Sequence, residues 1–305
     1  QIYLAPFPIA EAAKFLRSKK IEFTAKQLAE YYMIMGGVPF YLDQIAKGKS
    51  PEQNINEIFF DKNSDLSKEY GRLYKSLFGE APTYQKVVEL LATNSSGYTQ
   101  KEIAQKLKIT NGGNLSIVLQ NLCDCDFVTR YYAFDKQKRD VSYKLIDFYT
   151  LFYLHFIHGQ MRNTGSWNNS QDSPEKRTWY GYAFELLCFC HIDFIKSALG
   201  ISGTVTNVSS WRYDGEYGKA QIDLVIDRHD DTINLCEIKF SKNQYIITSD
   251  YEEKLEERKE LFRMATGTNK ALYNTLITIN GLKPGIHNDC IQNHIDLSLY
   301  INGLV

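Results

Sequence analysis

Apolar residues recur with helical spacing over residues 10–18 and 25–35, and Gly36-Gly37-Val38-Pro39 breaks the second run. A shorter periodic stretch follows over 40–46, so the first 60 residues predict a helical segment. Helical spacing returns over 83–92 and 100–107. It returns again over 114–123, where Leu115, Val118, Leu119 and Leu122 share a face. Thr99-Gln100-Lys101-Glu102 has the pattern of a capping box opening the middle helix of these three. The period then changes to two, with alternating runs at 127–132 and 141–145 on either side of a polar 135–140. Residues 146–158 are rich in aromatic side chains and read as a packing helix joining two domains, and 159–176 is a polar, turn-rich connection. Beyond it the pattern predicts one long helix over 179–199 ended by Gly200, then a strand at 204–213 and a strand pair within 221–239. A helix over 249–265, whose charged residues from Glu252 to Glu260, Arg258 among them, read as a solvated face, and a strand at 271–279 complete the expected order.

Three helices with a tight turn before the third, followed by a hairpin with a basic tip, describe a winged helix. Its third helix would enter a major groove and its hairpin would be the wing. The expected phosphate contacts are Lys136, Lys138 and Arg139, with Arg130 at the base of the wing. Asn111, Asn114, Ser116 and Gln120 are the side chains able to bond base edges. The third helix is poor in Lys and Arg, however, so a protein-docking role for the same module stays open.

The segment QIDLVIDRHDDTINLCEIK (221–239) places carboxylates within apolar strands. If a five-residue loop closes the hairpin, Asp223 faces Glu237 and Gln221 faces Lys239, away from an aliphatic stripe of Ile222, Leu224 and Ile226. Opposed carboxylates repel across a strand pair. A divalent cation held by hard oxygen ligands offsets that repulsion, and Lys239 adds a fixed positive charge. The plainer alternative is the solvated side of an edge hairpin.

Composition changes this picture little. The 305 residues carry 35 Lys and Arg against 36 Asp and Glu, so any nucleic-acid site must be a local patch and not a global basic field. No run of apolar residues reaches membrane-spanning length, and the first residues show no secretion pattern, so a cytoplasmic location is expected. The six cysteines lie in apolar periodic runs and read as reduced core residues. Gly48-Lys49-Ser50 is not a phosphate loop, because Asp43 stands where the leading glycine belongs and no strand precedes it. His287, Cys290 and His294 have ligand-like spacing for zinc but supply only three ligands. A homo-oligomer is compatible with this composition.

Residues 178–305, in the order helix, three strands, helix, strand, resemble the PD-(D/E)XK restriction-endonuclease-like core. Glu185 matches the family's first-helix glutamate, Asp223 its metal-binding aspartate, and Glu237 and Lys239 its Glu-x-Lys pair. Together with L-x-P-F near the start and AEYYMIMGGVPFYL at 29–42, the chain resembles the C-terminal part of prokaryotic AAA-type P-loop ATPases. The resemblance implies a multidomain α+β chain: a helical lid-like segment (1–60), a winged-helix domain (61–160) and a nuclease-like domain (161–305). It implies a Mg²⁺ or Mn²⁺ site held by Asp223, Glu237 and Glu185, with Lys239 completing the catalytic set, and DNA as a partner. An inactive nuclease fold that only binds nucleic acid or protein is the rival implication. The nucleotide-binding core with its Walker motifs is not among these residues, so ATP would bind only through a domain outside them.

Overall fold

The computed structural model describes residues 5–61, 64–79, 82–134, 141–159, 167 and 173–303. These form thirteen helices and two sheets, of three and five strands, so the chain is α+β. They fall into two compact units, residues 1–131 with 140–182 and residues 132–139 with 183–305. Both the residues expected as a lid-like segment and most of those expected as a winged helix belong to the first unit.

The first unit opens with α1 (Ile9–Ser18) and α2 (Ala25–Met35), both close to the expected spans. Thr24 and Gln27 close a capping box at the start of α2. At the end of α2, Gly36 adopts φ 65°, and the backbone at Gly37 lies against Phe7, whose N–H donates to the Gly37 carbonyl at 2.8 Å. A β-carbon at residue 37 would fall inside the van der Waals radius of the Phe7 carbonyl oxygen, so only glycine fits. After α3 (Pro39–Leu42), residues 47–50 are a polar turn whose Ser50 caps α4 (Pro51–Ile55). A π-helical turn, Asn56–Phe60, follows α4.

Helices α5 (Leu66–Phe78), α6 (Pro82–Ala92), α7 (Gln100–Leu107) and α8 (Gly113–Asp124) come next. The Thr99–Glu102 capping box is present at α7. A three-stranded sheet in the order β1-β3-β2 joins them, from β1 (Tyr98–Thr99), β2 (Val128–Tyr131) and β3 (Ser142–Leu145). The two-residue β1 has no signal in the hydrophobic pattern, being too short to show a period. Helix α9 (Phe148–Phe156) is the aromatic stretch, and it lies in the core of the unit rather than joining two domains. Its Phe152 ring meets Phe59 edge-on at 5.0 Å. Its Tyr149 ring lies 4.8 Å from Tyr41 and donates its hydroxyl to the Leu66 carbonyl at 2.6 Å. Full burial of each such ring contributes roughly 1.5–3 kcal/mol.

The expected helix over 179–199 is two helices, α10 (Pro174–Cys190) and α11 (Ile192–Ala198). The break is at buried His191, whose backbone leaves the helical region (φ −110°, ψ 35°) and whose Nδ1 bonds to the Leu187 carbonyl. The second unit is built on five strands in the order β4-β5-β6-β7-β8. Strands β4 (Thr206–Gly215), β5 (Gly218–Arg228) and β6 (Thr232–Lys239) form an antiparallel meander. Helix α12 (Ser249–Thr266) crosses over to β7 (Ala271–Thr278), which runs parallel to β6. Strand β8 (Asn293–Asp296) and the short α13 (Leu297–Ile301) complete the unit.

The expectation of half-buried strands is corrected at β6. Lying between β5 and β7, it is buried on both faces from Thr232 to Ile238. Helix α12 closes one side of this sheet, with Phe262 against Trp211, Val225 and Leu235. The second unit includes residues 132–139, of which 132–134 are described. Ala133 bridges Ser210, and Phe134 packs 4.9 Å from Phe262.

Two glycines test this packing in opposite directions. Gly37→Ala is expected to lower the unfolding free energy by at least about 2 kcal/mol in urea titrations, because backbone must move. Gly71→Ala is expected to raise it by up to ~1 kcal/mol, because Gly71 sits in α5 with open space where the methyl would go.

Candidate functional site

Asp223 and Glu237 come from neighbouring strands with the register expected from sequence. Val225 pairs with Leu235 and Leu224 with Cys236, the last pair of the ladder, and Asp223 and Glu237 are the next residue on each strand. Pairing of β5 with β6 stops there, and the expected pairing of Gln221 with Lys239 is not made. The reason is a bulge. On β4 two steps separate Ser209 from Trp211, whereas their partners Val225 and Ile222 are three steps apart. The extra residue lies at Asp223–Leu224 and turns β5 away from β6, as bulges beside functional sites do.

The charge on Glu237 is met from three directions. Its Oε1 accepts from the Tyr251 hydroxyl and lies 2.5 Å from Lys239 Nζ, and its Oε2 accepts from Arg258 Nη1 at 2.5 Å. Arg258 Nη1 also donates to the Gln221 carbonyl at 3.3 Å, which ties α12 to the bulged end of β5. Burial works against ionisation of Glu237, but the Arg258 and Lys239 charges and the bonds from Lys239 and Tyr251 outweigh it. Its carboxyl is therefore held below the usual range. Lys239 follows the same logic with opposite sign. Burial favours its neutral form, yet the adjacent Glu237 charge lifts its pKa, so it stays an ammonium at neutral pH.

Asp223 is the contrast. Its one hydrogen bond among the described residues is a long one, 3.5 Å from Gln221 Nε2, which leaves most of its lone pairs open. Burial first, and the Glu237 charge second, push its carboxyl up to about 6. The two opposed carboxylates therefore differ: Glu237 is committed to cations and Asp223 is available. Arg258 has in addition a buried Nη2 without a hydrogen-bond partner.

Tyr251 and Arg258 were not candidates in the sequence, where Arg258 reads as part of a solvated helix face. The structure corrects this. Tyr251, Leu255, Arg258 and Phe262 follow one another at helical spacing on the side of α12 that meets the sheet, and Leu255 and Phe262 are buried. A cation on an apolar stripe is the signal that identifies it. A cleft of about 680 Å³ opens beside the pair, its wall including Gln221, Glu237, Lys239, Tyr251, Lys254 and Arg258 but not Asp223.

Glu185 lies on α10; burial raises the thiol of Cys188, and the charges of Cys236, Glu185 and Asp223 add to it. No group of three or more His, Cys, Asp or Glu side chains is arranged to hold a metal among the described residues. Glu185 is thus not gathered with Asp223 and Glu237 into one three-carboxylate set. His287 bonds to Glu252 and His294 to Thr278, so the zinc spacing is not a site. All six cysteines are free, as expected, but Cys125 and Cys190 are exposed and not core.

In the first unit Asn114 is exposed on α8. Gln120 is engaged at both ends: its Oε1 accepts from Arg130 and its Nε2 donates to Asp124 at 2.6 Å. Ile117 on the same helix is 58% exposed, an apolar group where a groove-reading helix carries polar ones. Lys136, Lys138 and Arg139 lie outside the described residues.

Comparison with protein-family models, curated proteins and solved structures gave no match to this chain. No helix among the described residues is long and apolar enough to cross a membrane.

The asymmetry of the two carboxylates is measurable. The Asp223 carboxyl is expected to titrate near pH 6 by ¹³C NMR and to fall toward 3.8, its ordinary value, in Glu237→Gln, which removes the repelling charge. The folded-state value is raised, so the stability Asp223 contributes is full below pH 3.8 and is lost as pH rises through about 6.

Proposed function

We propose that the chain is a DNA-binding, metal-dependent nuclease-like region that works with an AAA-type ATPase core carried outside these residues. The observation that carries the reading is the pair of opposed carboxylates on adjacent strands with a lysine two residues beyond the second. It sits in a unit whose elements run helix, three antiparallel strands, crossover helix, parallel strand. That order is the one the PD-(D/E)XK resemblance calls for, and a metal site is one reason to oppose two carboxylates inside a sheet.

The donor set fits Mg²⁺ or Mn²⁺. Such ions are held by one or two carboxylates with water completing the shell, so a third protein carboxylate is not required. Asp223, with open lone pairs and an ionisation suppressed by its neighbour, would be the principal ligand and Glu237 the second. When bound, the ion supplies Lewis-acid polarisation of a phosphate and a more acidic water. The rest falls to the chain itself. Lys239, fixed as an ammonium, stabilises charge building on the phosphate oxygens and does not take up a proton. Tyr251 and Arg258 orient Glu237, and the unpaired Arg258 Nη2 is a donor for a further oxygen. The winged-helix arrangement of α6, α7, α8, β2 and β3 would hold the nucleic acid, with Asn114 and Arg130 in the described part of that surface.

One observation favours the second reading, a nuclease fold that binds without cutting. The cations already on Glu237 neutralise it without any metal, and exposed Ile117 suits a protein-docking face. Plasmid nicking separates the two. Hydrolysis is expected to need Mg²⁺ or Mn²⁺ and to fall at least about 100-fold in Lys239→Ala and in Glu237→Ala, as for loss of a charge-stabilising group. Nicking that survives both changes, or no nicking by the wild-type chain with its ATPase core supplied, removes the hydrolytic reading.

A further inference from the structure

We infer that the cleft beside Glu237 and Lys239 receives single-stranded nucleic acid, through a stacking platform at the tip of the β4–β5 hairpin. This names the strand form of the substrate and rests on the reading above only in its choice of nucleic acid. The hairpin turns in two residues, Glu216 and Tyr217, between paired Gly215 and Gly218. Three rings line up toward that tip. Trp211 and Tyr213 stack at 5.8 Å with 4° between planes, and Tyr213 and Tyr217 at 6.3 Å with 14°. The first ring is buried against Phe262, and the last is 54% exposed on the cleft wall.

The glycines hold this stack in place. A β-carbon at residue 215 would sit 2.6 Å from the Tyr213 hydroxyl, so glycine there lets the ring lie flat on the turn. Gly218 has φ 127°, and a β-carbon there would meet Leu261 of α12 at 3.8 Å, so the tip approaches the helix closely. Tyr217 is therefore an exposed aromatic face on a fixed support. Met264, 55% exposed, stands on the same cleft wall.

Charge then selects the form of the ligand. Four cations line the cleft, Lys219, Lys239, Lys254 and Arg258, against Glu237, Glu257 and Glu260. Lys239 and Arg258 are committed to Glu237, which leaves Lys219 and Lys254 facing Glu257 and Glu260. Among the described residues Lys219 is bound only to Asp214, at 2.9 Å and with both side chains mostly exposed, so a phosphate can exchange for that partner. Such a balanced surface gives little attraction to the dense charge of a duplex. A platform that gains from base faces gains only where the bases are unpaired. Tyr217, Lys219 and Lys254 line the same cleft as Lys239 and Glu237, so a strand held in it brings a phosphate to the carboxylate site.

Fluorescence anisotropy with the full chain, in EDTA, tests this with a labelled pyrimidine oligonucleotide of about 16 nucleotides and with its duplex. The stacking contribution is expected in the single strand and not in the duplex, whose binding would fall to the winged helix. The slope of log K against log salt is expected near −1.4, about 0.7 for each of two phosphates. Tyr217→Ala is expected to weaken binding about 5- to 100-fold and Tyr217→Phe by less than about twofold, with unchanged melting temperatures. Wild-type single-strand affinity in Tyr217→Ala, an equal loss of duplex binding in that variant, or no single-strand binding overturns the inference. With no divalent ion present, its failure is separate from that of hydrolysis. Metal-dependent nicking that ignores Tyr217→Ala removes this inference alone, and platform binding without any nicking removes hydrolysis alone.

Discussion

The buried Glu237–Arg258 pair is the interaction on which the second unit's chemistry depends. Both side chains are largely withdrawn from water, and a carboxylate on the central strand is costly unless its charge is met. Removing one partner of such a pair typically costs 3–5 kcal/mol, because the other charge is left stranded. Arg258 is also bonded to the Gln221 carbonyl, so one guanidinium fixes the crossover helix α12 to both β6 and the bulged end of β5. The bulge in turn frees the Asp223 side chain from regular pairing while keeping it next to Glu237. Glu237 is the neutralised carboxylate, and Asp223 is the one left with open lone pairs.

That division of roles explains why the two acids titrate in opposite directions although they are neighbours. Glu237 has two cations and a phenol; Asp223 has one weak amide contact and a negative neighbour. A site built only for stability has little reason to keep Asp223 in this position, since a small apolar residue would remove the repulsion. In the first unit the aromatic helix α9 plays the corresponding structural part. Its Phe152, Tyr149 and Thr150 side chains reach the π-turn, α3 and α5, so that unit has one shared core.

Much of this was legible in the sequence where a residue's neighbours are local. The capping box at Thr99, the spans of α1, α2 and α12, and the pairing of the strands that carry Asp223 and Glu237 follow from periodicity and turn length. What was missed depends on partners distant in sequence. The burial of β6 on both faces requires β7 beside it, and periodicity within the hairpin does not reveal a parallel neighbour 39 positions further on (Thr232 with Ala271). The bulge at Asp223 arises from pairing with β4 and leaves no mark on the alternation of β5. Arg258 was hidden by its helix: the eight charged side chains from Glu252 to Glu260 look like a solvated face unless the Leu255–Phe262 stripe is traced through it. The break at His191 goes with a buried bond between its ring Nδ1 and the Leu187 carbonyl, which helical spacing alone does not encode.

The central claim is that Asp223 and Glu237 form a single divalent-cation site whose open ligand is Asp223. Calorimetric titration of Mn²⁺ into the full chain and into Asp223→Asn tests it most directly. The account predicts one saturable ion in the wild type that is lost, or weakened by at least about tenfold, in the variant, as expected when one of two carboxylate ligands is removed. The same ion bound with the same affinity by both proteins, or by neither, would contradict it.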